Sequence, residues 1–182
     1  MGYEAALDKA WTALASAGVE RERVRFFSDE FRVDVLGRTV IAPSGQPAKD
    51  FFSILILHYL ERKVKGLPAL HGAWISFKEL ESGEQYYPAF RKRSLDLLLK
   101  KYGAKPEEML GCLRRLPYSK QAGVGDVSVQ VDAFEGVPMV AVLWRGDDEF
   151  AAEANLLFDR SISGIFCTED VAVLAGFCLK YI

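Results

Sequence analysis

FFSILILHYL, residues 51–60, is the stretch that most limits what this chain can fold into. Phe51, Phe52, Ile54, Leu55, Ile56, Leu57, Tyr59 and Leu60 surround a helix axis with apolar groups, and a helix without a polar face is normally buried on most sides. A buried central helix is therefore predicted over about 48–63. Pro43, Ser44, Gly45 and Pro47 break the pattern before it, and Asp50 sits where a helix dipole favours a carboxylate. His58 rides on this helix. A lone histidine there is most often a hydrogen-bonded core residue, so His58 is predicted to be buried, structural and partnered.

The flanking segments supply further layers. Residues 3–17 place Ala6, Leu7, Ala10, Trp11, Leu14 and Ala17 at helical intervals, with Gly18 as the stop. VRFFSDEFRVDVLGRTVIAPSG follows, where Val33 and Val35 alternate with Arg32 and Asp34 and Leu36-Gly37 turns into RTVIA. It reads as short antiparallel strands in a meander. GLPALHGAW (66–74) reads as a loop, and Ser76 with Glu79 as a capping box opening a short helical turn over 76–81. Tyr86, Tyr87 and Pro88 lead into one helix that carries Phe90, Leu95, Leu98, Leu99 and Tyr102 and ends at Gly103. Pro106 and Glu107 start another, with Met109, Leu110, Leu113 and Leu116. SKQAGVGD (119–126) reads as a flexible connector.

The last third returns to strands. VSVQVDAF alternates cleanly, Glu135-Gly136 turns the chain, and VPMVAVLW is a continuous apolar run suited to an inner strand. Residues 154–158 read as a further strand. Thr168, Glu169 and Asp170 read as the cap and first turn of a closing helix, 169–180. The expected class is α+β: one antiparallel or mixed sheet of about five to six strands, the buried central helix and flanking helices. A single globular domain over 1–182 is expected from a chain of this length.

Composition narrows the partners. Hydrophobic residues make up 50% and charged residues 26%, an ordinary globular balance. A net charge of −2 provides no field for nucleic acid or a membrane surface. The amino terminus, MGYEAALDKAW, has acids and no apolar core, so no secretory signal is expected. Residues 3–6 (YEAA) do not fit the acylation pattern, so no myristoylation of Gly2 is expected either. The apolar run over 51–60 is far short of the ~20 residues that span a bilayer. The expected location is cytoplasmic. Cys112, Cys167 and Cys178 are odd in number and far apart, with no CxxC pair and neither His58 nor His71 close by in sequence. Reduced thiols, and no metal, iron–sulfur or other cofactor, are expected.

VLWRGDDEFAAEANLLFD, residues 142–159, concentrates Asp147, Asp148, Glu149, Glu153 and Asp159. Neighbouring carboxylates can hold a divalent cation or divide acid and base roles. Consecutive acids in an extended chain alternate direction, however, and the EF-hand pattern is not met. Gly146-Asp147-Asp148 is good turn chemistry, so 140–144 is predicted as an inner strand and 146–149 as an exposed, tolerant turn beyond it. Asp159 differs. It follows Leu156, Leu157 and Phe158, and a carboxylate at the core's margin needs donors. The amides of 161–163, the hydroxyls of Ser161 and Ser163, or an arginine are expected to supply them. Arg91 and Arg93, with Tyr86 nearby in sequence, form a candidate anion-binding group, although a solvated basic face is the commoner arrangement. Neither G-x-S-x-G, G-x-G-x-x-G nor a Walker A sequence occurs, and no catalytic residue is assigned.

YEAALDKAW, SILILHYL, GAWISFKEL followed by YYPAFRKR, and a late VLWRGDDEF…ANLLFDRSIS…TEDVAVLAG occur together in this chain. The set resembles the family of uncharacterised proteins called domain of unknown function 3786. The resemblance spans nearly the whole chain, and the late segment is its most specific part. It implies a protein of anaerobic bacteria or archaea. Some relatives carry a cysteine-rich iron–sulfur segment beside this domain, an arrangement that the three cysteines here cannot form. No catalytic residues carry over. The late phrase, with Trp144, Phe150 and Phe158, marks Asp148, Glu149, Asn155, Asp159, Glu169 and Asp170 as a candidate polar cluster, either a site or a structural lock. The leading expectation is a non-catalytic accessory domain in anaerobic metabolism that binds a small molecule or a protein partner, an iron–sulfur protein among them. The alternatives are a small carboxylate-dependent enzyme, with or without a divalent metal, and an anion-binding module on Arg91, Arg93 and Tyr86.

Overall fold

A computed structural model describes residues 3–182; the expectation about Gly2 lies outside them. In chain order the elements are α1 (Tyr3–Ser16), β1 (Arg21–Phe26), β2 (Asp29–Asp34), β3 (Thr39–Ile41), α2 (Asp50–Lys65), β4 (Trp74–Ser76), α3 (Gly83–Arg93), α4 (Leu95–Tyr102), β5 (Ser119–Gln121), β6 (Val127–Phe134), β7 (Val137–Trp144), β8 (Glu153–Asp159) and α5 (Thr168–Tyr181). Single-turn or 3₁₀ segments cover Phe77–Glu79, Pro106–Arg114 and Arg160–Gly164. The class is α+β, as expected. No helix of the described residues is long and apolar enough to cross a membrane.

The strands form two sheets rather than the one expected. β1, β2 and β3 make a 3-stranded antiparallel meander, while the 5-stranded sheet has the order β4-β8-β7-β6-β5. The continuous apolar run of β7 is explained by its place between β6 and β8, where residues 137–143 are all buried. The sheets meet at a bulge. The β6–β7 register shifts between Asp132 and Phe134, and the carbonyl of the intervening Ala133 accepts a hydrogen bond of 2.7 Å from Phe27 N–H in the β1–β2 turn. Phe27 holds a positive φ of 51°, unusual for so bulky a residue. Surrounding contacts fix it there: its ring stacks on Tyr181 at 4.5 Å, and Arg25 Nη1 donates to its carbonyl and to that of Asp132.

Phe26 sits at the centre of the core. Its ring lies 4.9 Å from Phe52 of α2, 4.9 Å from Phe134 of β6, 6.0 Å from Phe177 and 5.6 Å from Tyr181 of α5. Edge-to-face and tilted contacts of this kind add to the burial term. Both sheets, α2 and α5 therefore share one apolar cluster.

Helix α2 is the buried helix anticipated from its composition, with residues 52–57, 59 and 60 buried. Its second half has a stripe that the apolar run conceals. His58, Glu61, Arg62 and Lys65 recur at i, i+3, i+4 and i+7 and stay half-buried or exposed. The capping box is present: Ser76 N–H and Oγ both donate to Glu79 Oε2, at 2.7 and 3.1 Å. α3 then starts hard against this turn, since a Cβ at Gly83 would lie 2.1 Å from the Phe77 carbonyl oxygen. The single helix predicted through residue 102 is broken at Ser94, which leaves helical geometry (φ −131°) and donates its buried hydroxyl to Phe90 O at 2.7 Å. The Pro106 segment is 3₁₀ rather than α-helical, and the connector at 119–126 contains the edge strand β5. β4, within a stretch read as loop and helical turn, pairs with β8. The cap of α5 is Cys167, not Thr168, whose hydroxyl instead donates to Glu81 O at 2.6 Å.

Candidate functional site

The candidate polar cluster does not converge; it falls into four places. Asp148 and Glu149 stay on the exposed turn beyond β7. In that turn Asp147 Oδ1 accepts from the amides of Glu149 and Phe150, which holds its carboxyl below the ordinary range. Asn155 lies half-buried on β8 and accepts locally from Leu156 N–H at 2.9 Å. Among the described residues, no group of three or more His, Cys, Asp or Glu is placed to hold a metal ion.

Asp159, at the end of β8, is 3% exposed. Its Oδ1 accepts from the amides of His71 (3.0 Å) and Ser161 (2.9 Å), and its Oδ2 from Gly72 (2.7 Å). Burial pushes its carboxyl up, but the Ser161 side chain and these amides outweigh that and bring it down to about 2. Ser161 was among the donors anticipated; His71 and Gly72 were not, because they stand far away in sequence. Arg160 N–H also donates to Ala73 O at 2.8 Å, so the end of β8 fastens the loop before β4.

Glu169 and Asp170 lie at the start of α5, where three elements meet. His58 Nδ1 of α2 is 2.8 Å from Asp170 Oδ2. The Cys167 thiol donates to the same oxygen at 3.3 Å. The bond to Asp170 raises the His58 pKa above its ordinary value, against the desolvation that would lower it. His58 is not the fully buried residue anticipated: its side chain keeps 31% of its surface, whereas that of Asp170 keeps 10%. With Nδ1 engaged, Nε2 is the ring nitrogen left for another partner. Burial first, then the neighbouring Asp170 carboxylate, push the Cys167 thiol up, so it is held as a thiol rather than a thiolate nucleophile.

A cleft of about 490 Å³ opens beside this pair between α1, α2, α3 and α5. Phe51, Ile54, Phe90, Ala172 and Val173 give it apolar walls; His58, Tyr86, Arg93, Cys167, Glu169 and Asp170 supply polar groups. A few polar groups converging on apolar walls is the usual make-up of a small-molecule site. Tyr86 Oη lies 3.4 Å from Glu169 Oε1, tying α3 to α5 across the cleft. Of the anion-binding group, Tyr86 and Arg93 share this cleft, while Arg91 pairs with Asp96 at 3.1 Å. Residues 80–82, Tyr86 and residues 163–169 line a second depression of about 480 Å³. Cys167 borders both.

A family model described as a domain of unknown function, DUF3786, matches residues 10–181. The chain belongs to DUF3786. Neither the curated proteins nor the solved structures compared with it gave a match. In this DUF3786 chain the family match covers every residue of the His58–Asp170 pair and its cleft except Tyr3 and Ala6. His58 and Asp170 were each singled out from the sequence on separate grounds. Their pairing across 112 positions had no local signal. Cys167 and Arg62 were missed; the i, i+4 spacing of His58 and Arg62 on α2 was the signal available for the latter.

Proposed function

We propose that this DUF3786 chain is a non-catalytic accessory domain that binds a small molecule, an apolar body bearing an acidic group, in the cleft between α1, α2, α3 and α5. The observation that carries this reading is the His58–Asp170 pair in the lining of an apolar-walled cleft. Asp170 favours the imidazolium, and Arg93 adds a second positive group to the lining. An anionic substituent on an apolar ligand matches both features. A general-base role for His58 is the second reading, favoured by its carboxylate-oriented ring. The nucleophile position argues against it, because the Cys167 thiol bonds Asp170 rather than the imidazole.

Hexanoate and benzoate are the test probes. Each should raise the melting temperature of the full chain saturably, by mass action on the folded state. Ala89→Phe, at an exposed position on the cleft wall, should abolish the shift without loss of fold, and His58→Gln should weaken it. The reading fails if neither probe shifts the wild type, or if Ala89→Phe leaves the shift intact.

A further inference from the structure

The larger cleft has a neighbour on the other side of the His58–Asp170 pair. It is a groove of about 260 Å³ between α2 and the start of α5, bordered by His58, Glu61, Arg62, Lys65, Cys167 and Asp170. Glu61 pairs with Lys65 at 2.5 Å, and Asp170 with His58 at 2.8 Å. Both acids of the groove therefore have a basic partner. Arg62 has none among the described residues, and its Nε is fully buried without any hydrogen-bond partner. A guanidinium cannot discard its charge by losing a proton, so this donor carries its desolvation cost in full. Arg62 Nη2 also lies beside Gly164, 4.0 Å from where a Cβ would stand.

We propose that this groove is an oxyanion subsite, in which Arg62 and His58 hold the carboxylate or phosphate head group of the ligand whose body fills the larger cleft. The placement rests on the ligand-binding reading above; the anion site itself does not. When His58 is protonated, the two ion pairs balance their own members and Arg62 is left as the one further positive charge of the groove. One small oxyanion neutralises it and gives the guanidinium fork an acceptor in the bidentate geometry it is shaped for. The volume holds such a head group with room to spare. Cys167 and Asp170 border both spaces, so a ligand can run from one into the other past the imidazole.

The test titrates inorganic phosphate and, separately, acetate into the full chain, with sodium chloride balancing ionic strength, and follows melting temperature. Wild type should show a saturable rise with at least one of them. A larger rise with phosphate assigns a phosphoryl head group, and a larger rise with acetate a carboxylate. Arg62→Met should lose the rise, and Arg62→Lys, which keeps the charge without the fork, should keep part of it. Because phosphate stabilises proteins generally, the difference between wild type and Arg62→Met is the quantity that counts. In chloride alone Arg62→Met should melt no lower than wild type, since it removes an unpaired buried donor. A marked drop there would make Arg62 structural and overturn the proposal, as would an equal rise in wild type and variant, or none in either. Ala89→Phe should keep the Arg62-dependent rise even if hexanoate fails, which separates this site from the larger cleft. Hexanoate binding unaffected by Arg62→Met would leave the cleft reading standing and remove this one.

Discussion

Replacing Asp159 with alanine tests whether a single carboxylate fastens β8 to the loop before β4. The wild-type side chain accepts three backbone amides, from His71, Gly72 and Ser161, at 2.7–3.0 Å. A hydrogen bond to a charged group contributes about 1.5–3 kcal/mol net, and three on one carboxylate do not add in full. Its pKa gives an independent magnitude. A carboxyl held at about 2 instead of an unfolded value of ~3.9 corresponds to about 2.6 kcal/mol of stability at neutral pH. Alanine also strands three amides that faced an acceptor. The expected loss is therefore about 2–4 kcal/mol. Urea melts followed by tryptophan fluorescence suit the measurement, because Trp74 is the cross-strand partner of Asp159. The pH dependence has a definite sign. Because the folded pKa is depressed, the contribution is fully present above the unfolded value and is lost as pH falls through ~3.9 towards about 2. The gap between wild type and Asp159→Ala should close over that window. Asp159→Asn, which keeps the shape and one carbonyl oxygen, should fall between the two and lose the acid dependence. A neutral-pH difference within about 0.5 kcal/mol, or a gap that persists unchanged in acid, would refute the anchor.

Two further outcomes concern the pair at α5. The His58 imidazole should titrate above the ordinary histidine value by NMR and return towards it in Asp170→Asn. Because its folded pKa is raised, the pair's contribution to stability is complete below ~6.5 and is lost as pH rises through the folded value. A His58 titration unchanged in Asp170→Asn would contradict the 2.8 Å bond. For the thiols, a disulfide reagent should label Cys167 alone in the native protein, and slowly, because its pKa is raised. Cys112 and Cys178 are buried and should react only after denaturation; native labelling of either would show the core to be open.

What could be read from the sequence follows from the range of the interactions involved. α1, α2, β6 and β7 each bury an apolar face, and that pattern is printed locally. The Ser76–Glu79 capping box was legible for the same reason, with donor and acceptor three residues apart. β4 and β5 were not. Each is a three-residue edge strand, too short to show a period, and β4 in addition pairs with a partner far along the chain, Ile75 with Phe158. The division into two sheets was hidden likewise, since it depends on Phe27 meeting the bulge at Ala133. Ser94 breaks a pattern that still looks helical, because its hydroxyl competes for Phe90 O without disturbing the apolar spacing. His58 was expected to be buried because its neighbours are. Its exposure came from the polar stripe that begins at that residue and runs to Lys65.

Two buried carboxylates in this chain show how a lock differs from a site. Asp159 meets the neighbouring Ser161 side chain and three backbone amides, and the amides have no other geometry to adopt while β8 and the loop before β4 stay folded. Its acceptors are occupied by groups that cannot leave, and its charge is fixed by the fold. Asp170 is almost as buried, but both of its side-chain bonds fall on Oδ2 and come from groups with freedom of their own: an imidazole that can change its charge and a thiol on an exposed cysteine. Deprotonating His58 would weaken one bond of Asp170, whereas no change of charge is open to the amides that hold Asp159. The helix below adds to the contrast. α5 is held at its far end by Tyr181 against Phe26 and Phe27, and along its length by Val171, Leu174, Ala175 and Cys178, all buried. The three residues that open it are positioned by polar contacts: Thr168 to Glu81, Glu169 to Tyr86 and Asp170 to His58. Polar contacts at a partly open helix start can be exchanged at small cost, whereas the aromatic contacts at its end cannot. The fold thus concentrates adjustable chemistry at the start of α5 and keeps Asp159 out of it.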